Sequence, residues 1–226
     1  MMNNQYILHS GGAIGADTTW EIIGRRFGLT EFNHYFIEGY KTPRGNASIR
    51  MTEDLKKVID SDLIKANKNL KRSYPTRNSY VNSLLRRNWF QVANSNSVFA
   101  ISRIENNMVS GGTGWAVQMA IDKGINVFVF CQFARKWFLY SSGFWIETET
   151  PTLTNNFAGI GTREIDQNGI LAIEDVYNKT FNKKKLKSNL QLFFYSALSF
   201  SMDSYPGWPS ISFNIFWHSS TYLSYV

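Results

Sequence analysis

Three glycine-rich stretches, each set between an apolar run and a helical pattern, constrain this chain more than any other feature. The first, His9-Ser10-Gly11-Gly12-Ala13-Ile14-Gly15-Ala16-Asp17, follows Tyr6-Ile7-Leu8 and precedes Trp20, Ile23 and Phe27 at helical spacing. The second, Ser110-Gly111-Gly112-Thr113-Gly114, comes a short loop after Val98-Phe99-Ala100-Ile101 and opens a helix, Trp115 to Lys123, that Gly124 ends. The third, Gly159-Ile160-Gly161-Thr162-Arg163-Glu164, follows Phe157-Ala158 and opens a helix whose apolar face is Ile170, Ile173, Val176 and Tyr177. Strand, glycine turn and helix, in that order, is the repeating unit of an α/β protein with parallel strands. The turns that follow such strands share one edge of the sheet, and ligands bind there. Glycine lets a ligand approach the backbone, and the free N–H groups of a first helical turn point at an anion. The coincidence of three such turns predicts one crevice for a phosphate-bearing ligand.

The remaining chain is consistent with that unit. Residues 5–9 read as a buried strand, and the helix at 17–27 has Asp17 in the N-cap place and stops at Gly28. His34–Ile37 reads as a second strand and 39–50 as a loop carrying Lys41, Arg44 and Arg50. Residues 52–66 read as a helix with Leu55, Val58, Ile59 and Leu63 on one face and Glu53 and Asp54 in its first turn. A polar, basic stretch from Lys65 to Arg77 reads as a surface loop. Ser79 then caps a helix with the stripe Val81, Leu84 or Leu85, Trp89 and Val92, and with Arg86 and Arg87 in its middle. Val127–Phe130 is continuous apolar sequence, as in a strand buried on both faces. Trp137–Tyr140 and Phe144–Ile146, around Ser142-Gly143, read as a hairpin whose aromatics cover the sheet or stack on a base.

A chain of 226 residues is one large domain or one domain with an appendage. Residues 1–182 read as a Rossmann-like α/β domain, three-layered with a mostly parallel sheet, 183–187 as a basic linker and 188–226 as an aromatic-rich tail. The net charge of +7 invites a nucleic-acid reading, yet four of the charges are Lys183, Lys184, Lys185 and Lys187 in that linker. A mildly basic body suits a small anion at least as well. The lone cysteine, Cys131, excludes a disulfide within the chain and a Cys-x-x-Cys metal site. No leader pattern opens the sequence and no apolar stretch approaches the roughly 18–20 residues of a membrane span, so a cytoplasmic protein is the expectation.

The residues that define these turns resemble a known group. Ser10-Gly11-Gly12-Ala13-Ile14-Gly15-Ala16-Asp17, then the arginine helix, then Ser110-Gly111-Gly112-Thr113-Gly114, resembles the SLOG superfamily. That group includes the LOG phosphoribohydrolases, the DprA DNA-processing proteins, the YpsA-like proteins and carrier-type proteins for the molybdenum cofactor. The segment 159–164 resembles one that often comes first in YpsA- and DprA-like chains. Its place at the end is similar to the circularly permuted YpsA-related branch. The resemblance covers about residues 5–181 and implies a Rossmann-like sheet, a nucleotide-derived ligand or a molybdopterin-type cofactor, and, by analogy, a homo-oligomer.

Departures from the pattern carry their own information. The LOG enzymes have Pro-Gly-Gly-x-Gly-Thr-x-x-Glu; laid on this chain, the proline becomes Ser110, the threonine Trp115 and the glutamate Gln118. Arg87 stands about where those enzymes place a catalytic arginine. Hydrolysis between base and ribose develops positive charge on the sugar, which a carboxylate stabilises and an amide does not. Asp17 or Glu164 would have to replace it, so the catalytic candidates are Asp17, Gln118 and Glu164. The binding candidates are Ser10, Gly11, Gly12, Ala13, Gly15, Asp17, Arg87, Ser110, Gly111, Gly112, Thr113, Gly114, Gly161, Thr162 and Arg163. Backbone N–H groups of 11–13 and 111–114 hold phosphate in this reading, Arg87 and Arg163 neutralise it, and Asp17 or Gln118 reads ribose or base. A nucleotide sensor or carrier is the first reading, a nucleotide N-glycoside hydrolase the second. DprA-like binding of single-stranded DNA, through Lys41, Arg44, Lys68, Lys71 and Arg72, is the third.

Overall fold

The computed structural model describes residues 5–40 and 44–181. Lys41, the basic linker at 183–187 and the aromatic tail at 188–226 lie outside them. The elements run β1 (Ile7–Ser10), α1 (Ala16–Arg26), β2 (Glu31–Ile37), β3 (Ala47–Ile49), α2 (Glu53–Leu70), α3 (Ser79–Ala93), β4 (Ser97–Ser102), β5 (Ile104–Glu105), β6 (Met108–Val109), α4 (Thr113–Asp122), β7 (Asn126–Cys131), β8 (Lys136–Ser141), β9 (Phe144–Thr148), β10 (Asn156–Gly161) and α5 (Gln167–Phe181).

Eight of the strands form one sheet in the order β3-β2-β1-β10-β4-β7-β8-β9. The six from β3 to β7 are parallel, and β8 and β9 extend the sheet antiparallel. Helices α1 and α5 pack together on one face; α2, α3 and α4 pack on one another, α3 against β1 and β2, α4 against β4 and β7. This is the Rossmann-like three-layer fold. The last of the described strands, β10, inserts between β1 and β4, so the connections that leave β1, β10 and β4, where the glycine-rich stretches lie, are neighbours.

Local chemistry explains the helix ends. The Thr52 side chain accepts the Leu55 N–H at the start of α2, with Glu53 and Asp54 in the positive first turn. Asn78, not Ser79, caps α3, because its side chain accepts both the Tyr80 and Val81 N–H groups. Helix α2 runs on to Leu70, beyond the expected 66, since Ala66 and Leu70 continue its buried stripe. The expected loop at 39–50 contains the short edge strand β3, and 103–109 contains the hairpin β5–β6.

The core under α1 and α5 is aromatic. Trp20, Phe99, Phe157 and Tyr177 are fully buried and meet in tilted or edge-to-face contacts. The Tyr177 hydroxyl donates to the Trp20 carbonyl at 2.9 Å. Gly159 and Gly161 belong to this packing. They lie inside β10, not in the turn expected from the sequence. A Cβ on Gly161 would stand 2.4 Å from the Ile101 carbonyl oxygen and 2.6 Å from Ala16 Cβ. Gly161→Ala is therefore expected to cost about 1–3 kcal/mol, the range for overpacking a filled core. A urea melt checks this; an unchanged midpoint would show that β4 and α1 yield without cost.

Candidate functional site

The ends of β1, β10 and β4 bring three connections to one edge of the sheet: 11–15, 162–166 and the stretch from Arg103 to Gly112. Asp17 ties two of them together. Its carboxylate is 5% exposed, and it accepts the N–H groups of Gly11 (3.1 Å) and Ala13 (3.5 Å) on one oxygen and of Gly161 (3.2 Å) on the other. Asp17 is not the N-cap of α1; Gly15 holds that place, with no side-chain cap. Burial pushes the Asp17 carboxyl up, while the Arg87 charge and the N–H groups of Ala13 and Gly11 pull it back. Two of the N–H groups expected to hold phosphate thus point at an internal carboxylate, and the third, Gly12, faces the Ser10 hydroxyl at 3.5 Å.

Gly15 shows how tightly the first and third connections meet. Its φ is +106°, and a Cβ there would stand 2.5 Å from the Arg163 Cα and carbonyl oxygen. Arg87 reaches from α3 to donate to the Gly11 carbonyl at 2.9 Å. A Cβ on Gly11 would fall 2.4 Å from the guanidinium, so this glycine admits the arginine. Arg87 is 8% exposed; burial lowers its pKa, the Asp17 charge raises it and exposed Arg163 opposes its charge. Arg87 Nε and the buried Gln91 Nε2 beside the same glycine have no hydrogen-bond partner among the described residues.

The second glycine turn is arranged differently. Arg72 donates to the carbonyls of Gly111 (2.6 Å) and Val109 (2.9 Å), and Asn88 donates to that of Gly112 (3.3 Å). In a trans peptide the C=O and the following N–H point opposite ways. Arg72 and Asn88 therefore turn the N–H groups of Gly112 and Thr113 away from themselves. Among the described residues the N–H groups of Gly111, Gly112 and Thr113 make no hydrogen bond, and both glycines are exposed. They form the N-terminus of α4, whose dipole adds attraction for an anion.

A polar cleft of about 160 Å³ adjoins this turn, lined by Ser102, Arg103, Ser110, Gln132, Thr162 and Glu164. Gln132 braces it, donating to the Glu164 carbonyl (3.1 Å) and accepting the Asp166 N–H (2.8 Å). Of the sequence candidates, Ser110, Thr162 and Glu164 line the cleft. Gln118 does not; its amide donates to Asp122 at 2.8 Å farther along α4. Sequence reading missed Ser102, Arg103, Gln132 and Asn88, and it assigned Arg72 to a basic groove instead of to this turn. The first three end or follow strands at the edge where ligands bind, which was a usable signal; Arg72 and Asn88 carried none. A larger hollow of about 340 Å³, between α5 and the β8–β9 hairpin, holds none of the candidate residues.

The proposed basic groove is divided. Arg44 pairs with Glu21 at 2.7 Å and Arg72 holds the glycine turn, while Lys68 and Lys71 are exposed. Among the described residues no group of three or more His, Cys, Asp or Glu is placed to hold a metal, and no helix is long and apolar enough to cross a membrane. Comparison with known proteins returns no match: no family model, no curated protein and no solved structure matches the chain.

Glu21 anchors the flank of the first turn. It accepts from Arg25 (2.8 Å) and Arg44 and bonds His34 (3.1 Å). Burial pushes its carboxyl up, but the His34 and Arg25 hydrogen bonds and the Arg44 charge outweigh that and hold it at about 2, below its ordinary 4.5. A depressed carboxyl contributes stability that is complete above the unfolded value and is lost as pH falls. The acid loss of stability should therefore fall between pH 4.5 and about 2 and be shallower in Glu21→Gln. Urea melts across that window test it; equal slopes would remove Glu21 from the acid transition.

Proposed function

We propose that this chain binds a small phosphate-bearing ligand of the nucleotide class at the C-terminal edge of its sheet, as a sensor or carrier. The observation that supports this reading is the set of open N–H groups at Gly111, Gly112 and Thr113 beside the polar cleft. Phosphate sits on those N–H groups at the α4 N-terminus, and the adjoining hydroxyls of Ser102, Ser110 and Thr162 with the Glu164 carboxylate take the sugar. Arg103 supplies the nearby cation, while Arg87 and Arg163 set the potential of the neighbouring turn. Binding without turnover is favoured because Asp17 is engaged by three backbone N–H groups and Gln118 is an amide turned to Asp122.

The test is a thermal-shift panel on the full chain with AMP, ADP-ribose, NAD, a cyclic nucleotide, a molybdopterin source and a short single-stranded DNA. A ligand at about 100 times its Kd should add about 2.7 kcal/mol of stability. Gly112 is the informative position, since a Cβ there meets nothing within 4 Å. Gly112→Asp should fold with an unchanged melting temperature, place a carboxylate where the phosphate goes and abolish the shift. A shift with DNA alone, falling steeply with salt, would overturn the small-ligand reading.

A second reading rests on Glu164, the one candidate carboxylate that lines the cleft. As an N-glycoside hydrolase the chain would release free base from a nucleotide, and Glu164→Gln would abolish release while keeping the thermal shift. Chromatography of the incubated nucleotide decides: no free base from the wild-type chain eliminates this reading.

A further inference from the structure

We propose that β9 is a two-fold interface at which a second copy of this chain pairs edge to edge. The sheet ends on one side in the three-residue β3 and on the other in the five-residue β9. An edge strand presents unpaired N–H and C=O groups, and proteins commonly blunt such edges with proline, lysine or a bulge. Strand β9, Phe144-Trp145-Ile146-Glu147-Thr148, has no proline or lysine, its one charge, Glu147, is paired with Lys136 on β8 at 2.8 Å, and it pairs β8 in unbroken register. Two of its three apolar side chains are exposed, Phe144 by 69% and Ile146 by 53%, while Trp145 is half-buried.

The register determines which backbone groups face outward. Ser142 (φ +50°) and Gly143 (φ +89°) form a two-residue loop with both residues left-handed, so Ser141 and Phe144 are the closing hydrogen-bonded pair. Hydrogen-bonded and open pairs then alternate, and Ile146 and Thr148 also face β8. The N–H and C=O of Trp145 and Glu147 therefore point away from the sheet, and no hydrogen bond satisfies them among the described residues.

These four groups are self-complementary. In an antiparallel two-fold pair centred on Ile146, Trp145 exchanges both bonds with Glu147 of the second copy, and Glu147 with its Trp145. All outward groups are satisfied, and the two Ile146 side chains meet in the close, open-pair position on the face where Leu139 already lies opposite Ile146. Phe144 then stands opposite Thr148. A five-residue edge pair buries less than the roughly 1,200 Å² of a standard interface. The dimer is accordingly weak and concentration-dependent.

Sedimentation equilibrium of the full chain over a wide range of concentration reads this directly. The wild-type chain should dimerise reversibly. Ile146→Lys puts like charges face to face and should weaken the dimer by about tenfold or more at an unchanged melting temperature. Val58→Lys, at an exposed position on α2, should leave it intact. Independently, Ile146→Cys should give a reducible covalent dimer on mild oxidation, because Cα atoms about 4.5 Å apart at an open pair lie within disulfide reach. The native Cys131 is buried and should not cross-link. A wild-type chain that stays monomeric at every concentration overturns the proposal. So does a dimer that Ile146→Lys leaves unchanged, or an Ile146→Cys chain that fails to cross-link.

Discussion

The Asp17 carboxylate is the joint on which this edge of the molecule depends. It is buried, and it gathers N–H groups from the connection after β1 and from the last residue of β10. A buried carboxylate without partners is among the costliest groups a protein can hold. Here three donors and the neighbouring Arg87 charge offset part of that cost, and burial still leaves the carboxyl above its usual range. The same contacts oblige the 11–15 turn to fold back over α1, oblige Gly15 into a conformation closed to other residues, and bring Arg163 against it. The Asp17 carboxyl group thus takes up the N–H groups that the first glycine turn would otherwise offer to a bound anion. The second turn, with carbonyls held by Arg72 and Asn88, is left facing solvent.

This distinction shows how much was legible in the sequence. The layered α/β architecture was legible because glycine between an apolar run and a helical period is a strong backbone demand, made here at two true turns. The glycines at 159 and 161 looked identical and were not turns: they are small because the Trp20 ring and the Ile101 carbonyl approach β10. Sequence alone does not separate a glycine that bends from one that makes room. Asn78 and Ser79 are both capping residues, and only geometry decides which side chain reaches the N–H groups. Arg72 lay in a basic stretch that reads as solvated loop, yet its guanidinium grips two carbonyls across the fold.

The site followed the same pattern. Residues named for backbone reasons, Ser110 and Thr162, fell where the strand order places them. Residues named for their side chains were less secure. Gln118 turns along α4 to Asp122, and Asp17 serves the fold's own backbone. Arg103 and Gln132 bear on the cleft because β4, β7 and β10 are neighbours, and that adjacency between strands distant in sequence is invisible until the sheet order is known.

That adjacency also sets an order of events during synthesis. Among the described strands β10 is the last to leave the ribosome, yet it pairs with β1 on one side and β4 on the other. Until it arrives, β1–β2–β3 and β4–β7–β8–β9 are two half-sheets, each with a bare apolar edge. The nascent chain must carry the β1 edge through almost the whole translation of the domain and the β4 edge from residue 102 onward, and domains generally complete as units. The closing pairing spans most of the sequence, the kind of long-range contact that slows folding. A chaperone that shields strand edges would therefore find its longest opportunity on this protein just before residue 156 emerges.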